Sequence, residues 1–242
     1  MSRLIETQPA WLLHSRPFRD TSLLLDFLTP DHGRVSAIAR GARGPKSRTR
    51  ALLQPFQPLS ISVAGRSELL NLRLVEPRGP ARPLLGERLF SALYINELMV
   101  RLLPGHESEA ELFDTYGQIL LDLAGPAELE PLLRSFELQL LDTLGYGLQF
   151  SHEADNSEAI AGEGWYYLRD DSGFVRQMQV QDPQHQSSAV QLYPGHELLL
   201  IATQDFSAAS TRKYAKRLLR QVLQQHLSER PLASRELFSG KS

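Results

Sequence analysis

Between His32 and Ser67 the chain carries Arg34, Arg40, Arg43, Lys46, Arg48, Arg50 and Arg66, and neither Asp nor Glu. Cations at this density repel one another unless an anion neutralises them. A phosphodiester backbone does so and releases its counterions, which makes the association salt-dependent. The segment RGARGPKSRTRA, residues 40–51, adds two glycines and small side chains that let the backbone approach a ligand closely. The candidate contacts are Arg34, Arg40, Arg43, Lys46, Arg48 and Arg50. The alternative is a solvated loop that serves only solubility. Phe18, Phe27 and Phe56 lie nearby in sequence. Exposed, such rings stack on unpaired bases; turned inward, they are core.

A second cationic group follows helical spacing. Arg212, Lys213, Lys216, Arg217 and Arg220 recur at i, i+4 and i+8 with no acid between them, and Tyr214, Leu218 and Val222 form an apolar stripe on another face. This is either a second phosphate-binding surface or an ordinary solvated helix face. A third feature is Arg134, the only basic residue between Arg101 and Arg169, with Leu133 and Phe136 beside it. A guanidinium next to apolar side chains suits a carboxylate flanked by hydrophobic residues, such as a partner's C-terminal tail. An internal ion pair with Glu130 or Glu137 satisfies it equally well.

Covalent chemistry finds no support. Gly41-Ala-Arg-Gly-Pro-Lys46-Ser47 lacks phosphate-loop spacing, and Gly240-Lys241-Ser242 is not expected to open the helix that must follow one. The seven histidines are scattered without an HExxH, Asp170-Asp171 belongs to no motif, and there is no cysteine. Disulfides, thiolate metal sites and a thiol nucleophile are excluded; no cofactor is expected and the chain reads as a non-enzyme. The cysteine count fits a reducing cytoplasm. Glu6 and Pro9 interrupt any signal peptide, and no apolar run approaches a membrane span.

The elements that must position these residues change character along the chain. Segments 10–16, 21–29, 33–41, 57–65 and 67–76 are short, rich in Leu, Val and Ile, and bounded by turn formers, which predicts five strands. Five strands with one long basic loop suit a Greek-key barrel of the OB type, with an SH3-like barrel or a sandwich fragment as alternatives. After Pro77, Pro80 and Pro83 the period shifts to 3.6, predicting helices over 84–103, 107–124 and 129–144. Residues 148–194 form a polar insert with a hairpin around Asp171-Ser172-Gly173, and helices resume at 195–204, 208–228 and 233–239. The expected class is α+β: an OB-fold β-barrel domain over 1–79, then a helical-bundle domain over 80–242 with a small irregular insert. Charge follows this order: +6 over 1–80, +1 over 81–103, −13 over 104–171 and +4 over 172–242, within a net charge of −2.

Taken in order, the strings LHSRP (13–17), TSLLLDFLTPDHGRVSAIARGAR (21–43), LLQPFQPL (52–59), LYINELMVRLL (93–103), ELF (111–113), LRSFELQLLDTLGYG (133–147) and SRELF (234–238) resemble the RecO family of bacterial recombinational-repair proteins. The resemblance spans nearly the whole chain. It implies a mediator without a catalytic site, bound to single- and double-stranded DNA in the cytoplasm at the nucleoid, annealing complementary strands. It also implies two protein partners: the tail of the single-stranded-DNA-binding protein, and RecR, with which RecA is loaded. Some family members hold zinc on four cysteines in the insert. Residues 148–194 contain none, so that site is expected to be lost and the insert to be held by packing around Trp165, Tyr166 and Tyr167. RNA binding by the barrel, a protein-interaction scaffold and a DNA-cleaving enzyme are the rival functions.

Overall fold

A computed structural model of the 242-residue chain describes residues 3–81, 83–105, 107–170, 172–178, 190–227 and 230–239. Asp171, part of the insert (179–189) and the Gly240-Lys241-Ser242 string lie outside the described residues. The chain divides into two units, Met1–Leu132 with Leu227–Ser242, and Leu133–His226. Among the described residues no helix is long and apolar enough to cross a membrane.

The first unit begins with five strands: β1 (Arg3–Phe18), β2 (Ser22–Thr29), β3 (Gly33–Ala39), β4 (Pro58–Gly65) and β5 (Leu70–Pro77). A short helix, α1 (Arg48–Leu52), stands between β3 and β4. Alternation decides what is buried. Val35, Ala37 and Ala39 of β3 and Leu59, Ile61 and Val63 of β4 face inward with Leu25 and Phe27 of β2, and the residues between them face outward. Strand β1 serves two neighbours. Trp11–Phe18 pairs with β2 and Arg3–Trp11 with β4, both antiparallel, with register shifts at Leu12/His14 and Ile5/Gln8.

The expected OB-type Greek-key barrel is corrected. The five strands form a mixed sheet. Its neighbour order β1-β2-β3-β5-β4 returns to β1, but the β3–β5 contact in that hydrogen-bonded ring is parallel and reaches only Ala37↔Leu70 and Ile38↔Asn71. Period-2 alternation tells which residues face inward and carries no information on which strands pair, or how far. Within the insert, β6 (Trp165–Arg169), β7 (Gly173–Arg176) and β8 (Leu192–Pro194) form a three-stranded sheet in the order β7-β6-β8.

Two helices pack on this sheet in the first unit, α2 (Gly86–Leu102) against β1 and α3 (Ala110–Ala124) against β2 and Trp11 of β1. Asn96 donates to the Leu13 carbonyl at 2.9 Å and accepts from the Tyr116 hydroxyl at 2.6 Å. Trp11 meets Tyr116 edge-on with ring centroids 5.6 Å apart. Tyr116 is fully buried, and burial pushes its phenol up despite the Asn96 bond. The C-terminal helix α7 (Ser234–Ser239) returns to α2, where the Glu97 carboxylate accepts from the amides of Ala233 (2.9 Å) and Ser234 (2.8 Å) and from the Ser234 hydroxyl (2.6 Å).

In the second unit, α4 (Leu129–Thr143, of which 133–143 belong to this unit), α5 (Gly195–Ala202) and α6 (Ala209–His226) accompany the small sheet. Tyr166, fully buried, accepts from the Ala161 amide at 2.9 Å and donates to buried Glu153 at 3.2 Å, with Arg176 4.0 Å from the same carboxylate. Gly195 closes against this centre: a Cβ there would stand 2.0 Å from the Ala161 carbonyl oxygen. Trp165 and Tyr167 are only half-buried. A four-cysteine zinc site does not fit. The chain has no cysteine, no three His, Asp or Glu among the described residues converge, and a phenol, a carboxylate and a guanidinium occupy the insert's polar centre.

Candidate nucleic-acid interface

The basic loop is pinned at both ends. Ala42 and Leu53 are buried in the sheet core, and between them Arg43, Lys46, Arg48 and Arg50 are exposed, the last two on α1. Successive turns, Gly44 N–H to Gly41 O and Ser47 N–H to Gly44 O, both 3.0 Å, shape the chain between them. Arg43 fastens the loop to the β1–β2 turn. Its amide donates to Thr21 O at 2.8 Å, and its guanidinium donates to the carbonyls of Arg19 (3.2 Å) and Asp20 (3.3 Å). That turn carries a left-handed residue, Arg19 at φ 51°, a conformation unfavourable for a side chain with a Cβ. Three hydrogen bonds from one arginine hold it.

An open groove lies beside this turn, lined by Phe18, Arg19, Ser22, Arg40, Gly41 and Asn71 among others. Phe18 is half-buried, and the Arg19 guanidinium lies 5.3 Å from its ring centroid. Phe27 and Phe56 are core residues. Of the three phenylalanines near the loop, only Phe18 offers an accessible ring. Its sequence signal was a position at the strand end, next to an arginine, at the hairpin turn.

Structure separates the other candidates. Arg40 is exposed at the groove edge, whereas Arg34 is half-buried and donates to the Val100 carbonyl of α2. On α6, Lys213, Lys216 and Arg220 are exposed. Arg212 donates to the carbonyls of Phe206 (2.8 Å) and Ser207 (2.7 Å). Arg217 lies 4.7 Å and 4.9 Å from the ring centroids of Tyr193 and Tyr214 and donates to the Leu192 carbonyl. Burial pushes the Tyr193 phenol up to about 12, with Arg217 opposing. Arg134 is buried with Leu133 and Phe136, and its guanidinium pairs with buried Glu137 at 2.9 Å. A partner's carboxylate would have to compete with that glutamate.

Fold and sites define a two-unit protein, a small mixed sheet with helices and a helical unit with its own sheet, each presenting an exposed cationic surface. The family model described as "Recombination protein O N terminal" matches residues 1–81, and that described as "Recombination protein O C terminal" matches 85–236. The chain is 46% identical over 231 residues to the DNA repair protein RecO of Pseudomonas putida (strain W619), covering 96% of each. It is 44% identical over 236 residues to that of Cellvibrio japonicus (strain Ueda107), covering 97% of each. The corresponding figure for Methylococcus capsulatus is 45% over 233 residues, 96% of this chain and 93% of the relative. The chain belongs to the RecO family, whose members are non-catalytic mediators of recombination in DNA repair.

Proposed function

We propose that this protein binds single- and double-stranded DNA and anneals complementary strands. With RecR it helps load RecA onto DNA coated by the single-stranded-DNA-binding protein, in the cytoplasm at the nucleoid. The observation that carries this reading is the groove at Phe18, Arg19 and Arg40 beside a pinned, acid-free loop. Two strands repel through their phosphates; cations on the loop screen that repulsion while a half-open ring receives a base. Annealing then needs no covalent step. The tail of the single-stranded-DNA-binding protein is assigned to the face of α4 with Arg134, Leu133 and Phe136.

The test is annealing of complementary oligonucleotides as a function of salt, comparing the parent with Arg40, Lys46, Arg48 and Arg50 changed to Gln. Arg43 is left intact because it holds the turn. If these residues contact a single strand, the log–log slope of binding against salt flattens by about 0.7 per contact removed. An unchanged slope places the DNA elsewhere.

A further inference from the structure

Helix α6 ends at His226, whose imidazole lies flat on the ring of Tyr146, centroids 3.7 Å apart and planes 12° from parallel. Tyr146 stands in the Gly145–Gly147 break after α4 and remains 45% exposed although His226 covers one face. A core tyrosine hides both faces; this one is braced on one side and open elsewhere. The pair lines a cavity of about 270 Å³ with Gly145, Gly147, Leu168 and Gln225.

A second groove runs along the same helix, lined by Lys213, Lys216, Arg220, Gln221, Gln224 and Gln225 among others. Gln225 borders both cavities. Lys213, Lys216, Arg220 and Gln224 follow one another at steps of three and four, so they share one face, and from Lys213 to His226 the helix rises about 20 Å. Cations occupy one end and an aromatic platform the other. The platform end is net negative: Arg169 and Asp155, 2.7 Å apart, cancel each other, but Asp170, which also lines the second groove, keeps its charge while accepting from the neutral Gln225 amide. Such a rim suits a base more than another phosphate. Arg217 is left out, because its guanidinium is engaged with two tyrosine rings and a carbonyl.

We infer that this face of the second unit is a single-strand site, with Lys213, Lys216 and Arg220 along the phosphates and Tyr146, braced by His226, stacking on an unpaired base. The inference rests on the DNA-binding reading above and adds to it a separate site with its own base contact. A duplex keeps its bases stacked and offers this platform nothing; an open strand offers both chemistries.

The experiment measures binding of the full chain to a labelled oligo(dT) and to an abasic strand of the same length. The variants are Tyr146→Ala, Tyr146→Phe and the combined K213Q/K216Q/R220Q, with thermal melting as the check on folding. Tyr146→Ala is expected to weaken oligo(dT) binding by about five-fold or more, the lower end of one base–aromatic stack, and to leave the abasic strand unchanged. Tyr146→Phe binds like the parent, and the combined variant weakens both strands. Unchanged oligo(dT) affinity in Tyr146→Ala overturns the inference, as does an equal loss on the abasic strand or a loss that Phe does not rescue. So does a combined variant that keeps its DNA affinity and loses an Asp-rich peptide. If the α6 variants bind DNA like the parent while loop substitutions at 40–50 abolish binding, this site falls and the proposed function stands. If both sets bind like the parent, the DNA reading itself fails.

Discussion

Phe18 and Phe27 sit nine positions apart in the sequence and have opposite fates, one half-open beside Arg19 and the other sealed in the sheet core. Phe18→Ala should therefore weaken single-strand binding by about five-fold or more with little change in melting temperature. Phe27→Ala should cost about 3–5 kcal/mol of stability, read by chemical denaturation. Glu97 sets a pH dependence. Burial raises its carboxyl, but the hydroxyl and amide of Ser234, the Ala233 amide and Arg101 outweigh this and hold it below its ordinary 4.5. A depressed folded value means the docking of α7 is stabilised above about pH 4.5 and loses that support as pH falls through the folded value. Glu97→Gln should lower the melting temperature at neutral pH, and the difference from the parent should shrink in acid. Arg134→Ala alone leaves Glu137 buried without its guanidinium, which costs about 3–5 kcal/mol. The fair test of tail binding is therefore Arg134→Leu combined with Glu137→Leu, with peptide affinity measured on a protein shown to be folded.

Helices were the most legible elements, because a leucine every three or four residues has one structural meaning: α2, α3, α4 and α6 end within about three residues of where periodicity and Pro or Gly breakers put them. Strand β1 starts seven residues earlier than the segment beginning at Ala10. Its first half, RLIETQP, lacks clean alternation and is extended because β4 pairs with it. Helix α1 and strand β8 were illegible for the same reason, being five and three residues long and held by their neighbours. Turn chemistry makes the sharper prediction. Gly33 opens β3 at φ +53°, where a Cβ would stand 2.0 Å from the Glu107 carbonyl oxygen. Gly33→Ala meets both a left-handed backbone, about 1–2 kcal/mol, and that collision, so its melting temperature should fall well below that of a Gly41→Ala control. Gly41 is also left-handed, but its Cβ position is open.

Across the whole molecule, the insert is the part built around a buried polar pair, with no thiol to hold a metal. Tyr166 and Glu153 hold the centre of that sheet, so excess EDTA should leave the melting temperature unchanged. Tyr166→Phe, which strips the Ala161 amide and Glu153 of a partner, should cost about 1–3 kcal/mol. The sequence by itself determined the segregation of charge, the lack of thiol chemistry, the helices and the family, because composition, period and ordered motifs are local properties of a chain. Only the tertiary structure decided which of eleven cations are engaged by carbonyls and rings, which phenylalanine faces out, and that Tyr146 meets His226 eighty residues later. Those facts depend on which residues share a neighbourhood once the backbone has satisfied its hydrogen bonds and the apolar side chains have left water. No spacing along the chain encodes them.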